Sequence, residues 1–280
     1  MSDLFGRVRC WFSHMDLCPL AEFRLFDFNT VIGKKGCHKS LYDWQPFFFC
    51  DMIRVIQKKT CRSFFMIGNK YPYRLSIIIF IFFFSFLLVT LFVQTGKIEK
   101  FDLSIIHFVQ GFETPLLTSI MLFFTKIGSF PIVTLLFLLI SLFLYFVFHH
   151  RSELVLFAVV IAGTLVINRL LKEYFERVRP DIHRLIEIGG YSFPSGHAMT
   201  AFSVYTILAF LFWRHISTRF GRIMLLIFSA LFIFMIGISR IYLGVHYPSD
   251  ILGGYFVSGM WCTLAIGFFQ KYKNRNHAKD

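Results

Sequence analysis

Three short polar stretches between apolar segments carry the residues whose types and spacing suit chemistry. The last of them reads SRIYLGVHYPSD (239–250), in which Arg240 is followed by His246 and, four residues later, by Asp250. If the chain is helical from Tyr247 onward, the histidine and the carboxylate lie one turn apart. A carboxylate in that position holds one ring nitrogen as N–H and leaves the other nitrogen unprotonated. The spacing therefore predicts a nucleophilic histidine.

The stretch KEYFERVRPD (172–181) supplies two cations. Lys172 and Arg179 are seven residues apart, so on a continuous helix both project from one face. Pro180 then discourages further helix. A lysine point charge beside a bidentate arginine suits a phosphate group. Taken alone, the stretch also fits ordinary basic residues at a membrane interface.

The stretch YSFPSGHAM (191–199) reads as a turn that leads into a helix. A helix N-terminus offers free backbone N–H groups and the positive end of the helix dipole, which favour an anion. Ser195 adds a hydroxyl donor, and Gly196 permits close approach of the backbone. His197 falls in the first turn, where it can give or take a proton near neutral pH. A capped helix with an incidental histidine is the alternative.

Histidine and aspartate also bind metals, so a metal site is a rival interpretation of His246 and Asp250. Such a site requires further ligands, whereas the other ionisable groups of the three stretches include Lys172, Arg179 and Arg240. This cationic set favours an anionic ligand over a metal ion. We therefore expect neither a metal nor another cofactor.

Long apolar segments must position these stretches. Hydrophobic residues make up 56% of the 280 residues, only 16% are charged and 39 are Phe, whereas a soluble domain is about 45–50% apolar. Uninterrupted apolar runs of about 20 residues are typical of membrane-spanning helices. The sequence predicts an all-α polytopic membrane protein with six spans, at 75–93, 127–148, 154–171, 198–213, 223–239 and 251–270.

Basic loops account for the formal net charge of +13, since no nucleic-acid-binding motif accompanies it. Six spans put both termini on one side, together with the basic segments KKTCR, HHRSE, RHISTRFGR and KYKNRNHAK. By the positive-inside rule that side is cytoplasmic, and the three polar stretches lie on the outer face. The apolar segment 94–126 is expected to be helical and to lie partly in the interface. A seventh span is the alternative for this segment.

The first 65 residues show no clear hydrophobic period and no signal-peptide pattern. We expect residues 1–65 to be a poorly ordered cytoplasmic extension or a mis-assigned start, and residues 66–280, from Met66, to form the six-span domain. Five of the six cysteines lie within the first 61 residues. Their spacing fits neither a zinc site nor a disulfide framework, so unpaired thiols are expected.

The three stretches together resemble the three-part signature of the type 2 phosphatidic acid phosphatase (PAP2) family, in its bacterial membrane branch. The matching residues are Lys172-x6-Arg179-Pro180, Pro194-Ser195-Gly196-His197 and Ser239-Arg240-x5-His246-x3-Asp250. Every signature position is filled. The resemblance covers roughly residues 75–270 and leaves out residues 1–65.

The resemblance implies a metal-independent phosphatase that acts on a membrane lipid phosphate, such as phosphatidylglycerophosphate or phosphatidate, through a phosphohistidine at the outer membrane face. His246 is then the nucleophile, Asp250 orients it, and His197 is the general acid and base. The groups expected to hold phosphate are Lys172, Arg179, Ser195, Gly196 and Arg240. An undecaprenyl diphosphate phosphatase is one alternative. An anion transporter is a more distant one, because cations near membrane spans also mark ion paths.

Overall fold

The computed structural model describes residues 72–146 and 151–276, which fold into eight α-helices without a β-strand. This confirms the predicted all-α class. The helices are α1 (Pro72–Gln94), α2 (Glu99–Gln110), α3 (Pro115–Ile127), α4 (Phe130–Phe146), α5 (Arg151–Phe175), α6 (Gly196–Trp213), α7 (Arg219–Tyr242) and α8 (Pro248–Asn276).

Several predictions concern residues outside these ranges. The extension 1–65, the start at Met66 and the thiol state of five cysteines lie there and stay predictions. Cys262 is described, and it is free and buried.

Five helices are each long and apolar enough to cross a membrane: α1, α5, α6, α7 and α8. Within the described residues, α3 and α4 taken together are also apolar enough to cross, but they are bent by 54° relative to each other, as in a broken span or a re-entrant loop. The predicted second span, 127–148, begins at the last residue of α3, three residues before α4. The chain leaves α3 at Gly128, and α4 begins only at Phe130, with Pro131 in its first turn, where a missing N–H costs little.

The segment 94–126 is helical, as predicted, and forms most of α2 and α3. Thr114 caps α3 by accepting a hydrogen bond from the N–H of Leu117, and Pro115 occupies the first helical position. Helix α2 packs on α7 and α8, and α3 packs on α7. Two polar side chains of this pair, Asp102 and Thr125, are buried.

Helix α6 lies at the centre of the bundle and contacts α5, α7 and α8. The core between them is formed by apolar residues of α5, α6 and α8: Leu156, Phe157, Val160, Ile207, Leu211, Cys262 and Ala265. Helix α1 packs on α8 where Gly259 leaves room, since a Cβ there would lie 2.5 Å from the ring of Phe82. Outward-facing side chains of α1 such as Phe80 are exposed, as expected of a helix surrounded by lipid.

The long helices alternate in direction, which decides where the polar stretches meet. At one end of the bundle, the buried carboxylate of Glu153 at the start of α5 is paired with Arg214, directly after α6, and with Lys273 near the end of α8. At the opposite end, the end of α5, the start of α6, the end of α7 and the start of α8 come together. The three polar stretches lie at this second end.

Candidate active site

The chain leaves α5 earlier than the sequence predicted. The helix ends at Phe175, Glu176 has a left-handed φ of 46°, and the backbone at Arg179 is not helical. Lys172 and Arg179 therefore do not share a helix face, and that prediction was wrong. The residue before a proline disfavours helical backbone, so Pro180 keeps Arg179 out of the helix, and the break at Glu176 comes three residues earlier still.

Lys172 and Arg179 nevertheless converge, because both donate to the backbone of the loop that precedes α6. Lys172 Nζ lies 2.9 Å from the carbonyl oxygen of Tyr191, and Arg179 Nη2 lies 3.1 Å from the same oxygen. The Nε of Arg179 donates to the carbonyl oxygen of Gly190 at 2.9 Å. Burial lowers the pKa of the Arg179 guanidinium, and the nearby Asp250 carboxylate opposes that change.

His246 is held between a carboxylate and a guanidinium. Its Nδ1 lies 3.2 Å from Asp250 Oδ2, as the sequence predicted, and its Nε2 lies 3.0 Å from Arg179 Nη1. Arginine can only donate, so Nε2 is the acceptor and the ring proton sits on Nδ1, towards Asp250. This arrangement leaves a lone pair on Nε2, the property required of a nucleophile.

The surroundings of His246 also keep its ring neutral. The side chain is 2% exposed. Burial and the neighbouring cations Arg240, Arg179 and Lys172 lower the pKa of His246 well below its ordinary value of 6.5. The neutral imidazole is therefore the form present at physiological pH.

The start of α6 is fastened to the start of α8. Helix α6 begins at Gly196, two residues before the predicted span 198–213, and Ser195 caps it by accepting a hydrogen bond from the N–H of Ala198 at 3.5 Å. The N–H of Ser195 donates to the carbonyl oxygen of Asp250 at 3.1 Å. His197 lies in the first turn of α6, beside Gly128, where a Cβ would come within 3.2 Å of the ring.

Arg240 occupies the last turn of α7 and is only 1% exposed. Its Nη1 donates to Thr125 Oγ1, and its buried Nε has no hydrogen-bond partner in the described part of the chain. A buried guanidinium with an unpaired donor is available to an anionic oxygen. His197 lies within electrostatic reach of Arg240 and His246. The structure thus brings every predicted site residue to one end of the bundle: Lys172, Arg179, Ser195, Gly196, His197, Arg240, His246 and Asp250.

Two charged residues in the site were not predicted. Arg177 Nη1 lies 2.7 Å from Asp250 Oδ1, and Arg177 Nη2 lies 2.9 Å from Asp102 Oδ2. Ser192 also donates to Asp250 Oδ2, and Ser249 donates to Asp102 through both its N–H, at 2.9 Å, and its hydroxyl, at 2.6 Å. The sequence feature that could have revealed this pair is Asp102 itself. An acidic residue in an apolar membrane segment costs free energy, so its presence there indicates a function.

The arrangement suits displacement at a phosphorus atom. An unprotonated imidazole nitrogen is adjacent to three cationic side chains, and a second histidine lies nearby. Within residues 72–146 and 151–276, no three His, Cys, Asp or Glu side chains are grouped as ligands for a metal ion. A phosphoryl group in its transition state requires positive charge around its oxygens, and Lys172, Arg179 and Arg240 are cations of the kind that could provide it.

Comparison with known proteins agrees with this chemistry. Residues 153–274 match the model of the PAP2 superfamily, a range that includes all three polar stretches. The chain is 31% identical over 192 residues to phosphatidylglycerophosphatase B of Bacillus subtilis. The aligned region covers 68% of this chain and 94% of that protein. It is 27% identical over 180 residues to an Escherichia coli protein provisionally named an undecaprenyl-diphosphatase, covering 60% of this chain and 82% of that protein.

A solved structure is similar as well. The crystal structure of a transmembrane PAP2-type phosphatidylglycerolphosphate phosphatase from Bacillus subtilis superposes with a TM-score of 0.64 at 30% identity. The match covers 69% of this chain and 96% of the crystallised chain. The helical membrane architecture is therefore shared over nearly the whole length of that enzyme.

Proposed function

Because the chain belongs to the PAP2 superfamily and is a lipid phosphatase of that type, we propose that it removes the terminal phosphate of phosphatidylglycerophosphate through a phosphohistidine on His246. The observation that carries the proposal is the pair of contacts on the His246 ring. Asp250 Oδ2 accepts a hydrogen bond from the Nδ1–H of His246 at 3.2 Å, and Nε2 keeps its lone pair at the edge of the cation cluster.

The first step forms a bond between His246 Nε2 and phosphorus and breaks the bond from phosphorus to the lipid oxygen. The phosphoryl oxygens replace Nε2 as acceptors for Arg179, which frees the lone pair for attack. Arg179, Lys172 and Arg240 stabilise the charge on these oxygens. His197 gives a proton to the departing lipid oxygen, so the alcohol leaves neutral.

The second step releases phosphate by hydrolysis. His197, now unprotonated, takes a proton from a water molecule whose oxygen attacks phosphorus. The bond between phosphorus and Nε2 breaks, and the electron pair returns to the imidazole of His246. Asp250 stabilises the positive charge that the ring carries in the intermediate. Three cations already balance the phosphoryl group, so the mechanism requires no metal ion.

The choice of substrate is supported by the relatives. Both the Bacillus subtilis relative and the solved structure are named as enzymes that act on phosphatidylglycerophosphate. Undecaprenyl diphosphate is a second candidate, favoured by the name of the Escherichia coli relative and by a cation cluster that also suits a terminal diphosphate.

The substrate is tested with purified protein and four lipids: phosphatidylglycerophosphate, phosphatidate, diacylglycerol pyrophosphate and undecaprenyl diphosphate. Each is assayed for released phosphate with and without EDTA, and His246→Ala supplies the background. The expected result is the highest kcat/KM for phosphatidylglycerophosphate, unchanged by EDTA. Preference for undecaprenyl diphosphate selects the second candidate, and loss of activity with EDTA that magnesium restores refutes the metal-free mechanism.

We further propose that the site faces the outside of the cell and that both termini are cytoplasmic. The basic segment 214–222 lies at the opposite end of the bundle from the site, and the positive-inside rule assigns that end to the cytoplasm. A membrane-impermeant thiol reagent tests this in intact cells. We expect Gly189→Cys to be labelled from outside and Ser217→Cys only after permeabilisation, each relative to wild type, and the reverse pattern refutes the orientation.

A further inference from the structure

We propose that Asp102 and Arg177 are positioning residues for catalysis, and that they set the charge that Asp250 presents to His246. This inference rests on the proposed role of His246 as the nucleophile. It arises from a buried chain of contacts that begins at Asp102 on α2 and ends at the imidazole ring of His246.

The chain runs through alternating charges. Asp102 Oδ2 accepts from Arg177 Nη2 at 2.9 Å, Arg177 Nη1 donates to Asp250 Oδ1 at 2.7 Å, and Asp250 Oδ2 lies 3.2 Å from His246 Nδ1. Both carboxylates have fully buried side chains, and that of Arg177 is 16% exposed. The guanidinium also lies 4.0 Å from the ring of Tyr247, which adds a favourable cation–π contact.

The charge balance of this chain gives Asp102 its proposed role. Without Asp102, the guanidinium of Arg177 would neutralise Asp250, and the pair would carry no net charge beside the imidazole. With Asp102, two carboxylates share one guanidinium, so one net negative charge remains next to His246. That charge favours the transition state, in which the ring becomes positive as its bond to phosphorus forms.

Arg177 contributes orientation as well as charge. It binds Oδ1 of Asp250, while the N–H of Tyr247, at 2.9 Å, and the hydroxyl of Ser192 bind Oδ2. Both oxygens are thereby fixed, and Oδ2 stays directed at the Nδ1 proton of His246. A carboxylate held at both oxygens keeps the imidazole in one tautomer, with Nε2 free to attack.

A purely structural role for Asp102 is the rival explanation. Asp102 accepts two hydrogen bonds from Ser249 at the start of α8, so it also anchors α2 to that helix end. An anchor affects stability and the assembly of the whole site, including phosphate binding. A charge-setting residue affects the chemical step and leaves the affinity for phosphate unchanged.

Three variants distinguish these roles: Asp102→Asn, Arg177→Gln and the double variant. Asp102→Asn leaves Arg177 to neutralise Asp250, so we expect kcat to fall about 10- to 100-fold. The KM and the inhibition constant of inorganic phosphate stay within about twofold, because the cations that bind phosphate are unchanged. Arg177→Gln leaves two buried carboxylates without their cation and is expected to lower kcat as well.

The double variant is the decisive comparison. It removes one negative and one positive charge, so Asp250 again presents one net negative charge to His246. We expect its kcat to exceed that of Asp102→Asn, although it carries one more substitution. For a structural anchor the losses accumulate instead. Glu113→Gln, which changes an acid paired with His183 in the loop between α2 and α3, is the control and keeps wild-type kcat.

The outcomes also separate this inference from the proposed function. The inference is refuted if Asp102→Asn keeps kcat within twofold of wild type, or if the double variant is slower than Asp102→Asn. If Asp102→Asn does not fold but the double variant folds and is active, the result still supports the proposal that the balance of charges matters. Wild-type protein without activity on any lipid phosphate refutes the proposed function itself.

Discussion

Lys172 and Arg179 donate hydrogen bonds to the same acceptor, the carbonyl oxygen of Tyr191, at 2.9 and 3.1 Å. Lys172 reaches it from the last turns of α5, and Arg179 reaches it from the non-helical segment beyond. The backbone before α6 therefore organises the two cations, and Arg179 then extends to Nε2 of His246 at 3.0 Å. The geometry of the cation cluster therefore depends on the planar guanidinium of Arg179, whose nitrogens donate in several fixed directions.

The substitution Arg179→Lys keeps the positive charge but replaces the planar guanidinium with a single ammonium group. The guanidinium of Arg179 uses all three of its nitrogens as donors, to carbonyl oxygens and to His246, and a single ammonium cannot replace them. We expect the KM and the inhibition constant of inorganic phosphate to rise about tenfold. The control is Arg169→Lys, at an exposed ion pair with Glu173. A KM within twofold of wild type contradicts the assigned role.

His197→Ala should affect substrates according to their leaving groups. A lipid alkoxide leaves only with a proton, so the loss of the general acid is expected to slow turnover about 10²- to 10⁴-fold. A p-nitrophenolate leaves without a proton, so formation of the phosphoenzyme from p-nitrophenyl phosphate should be nearly unaffected. Stopped-flow release of p-nitrophenolate measures this step. Equal losses for both substrates would rule out His197 as the acid.

Gly244 holds the turn between Arg240 and His246. It has a φ of +72°, and a Cβ there would lie 2.0 Å from the carbonyl oxygen of His183. Gly244→Ala is expected to lower the free energy of unfolding by about 1–3 kcal/mol or more, because both strain and overlap act against it. Gly189→Ala is the matched control, since nothing lies within 4 Å of its Cβ position. Equal unfolding midpoints for the two variants would contradict this account.

His246 should make stability depend on pH. Burial lowers the pKa of His246 in the folded protein well below 6.5, so the unfolded chain takes up a proton at a higher pH than the folded protein does. The contribution of His246 to the free energy of unfolding is fully present above about pH 6.5 and is lost as the pH falls below that value. The midpoint temperature of thermal unfolding should therefore fall more steeply with decreasing pH for wild type than for His246→Gln. Parallel declines would mean that the ring is not held neutral.

Much of the site was predictable because its residues are rare types in an apolar chain. The spacing predicts His246 and Asp250 one turn apart and His197 in the first turn of a helix, and the structure agrees with both. Such local spacing determines contacts directly, since neighbours along a helix are neighbours in space. The helical class and the approximate positions of five spans followed from apolar runs whose lengths match the membrane.

Other features depend on contacts that spacing cannot reveal. Asp102 and Arg177 are 75 positions apart, and their meeting depends on how α2 packs against the start of α8. The spacing of Lys172 and Arg179 predicts a shared face only on a continuous helix, whereas the backbone turns at Glu176. The predicted second span begins directly after Lys126, where a charge interrupts the apolar run, whereas the helix break lies at Gly128 and Ser129.

The central claim is that a phosphoryl group passes through His246. A single turnover with lipid labelled on its terminal phosphate, stopped in alkali to preserve phosphohistidine and followed by peptide mapping, tests it directly. The predicted result is label on the peptide that contains His246, with no label and at least a 10³-fold loss of turnover in His246→Ala. The control His183→Ala, an exposed histidine paired with Glu113, should label as wild type does. Label on another residue, or His246→Ala turning over at the wild-type rate, would contradict the claim.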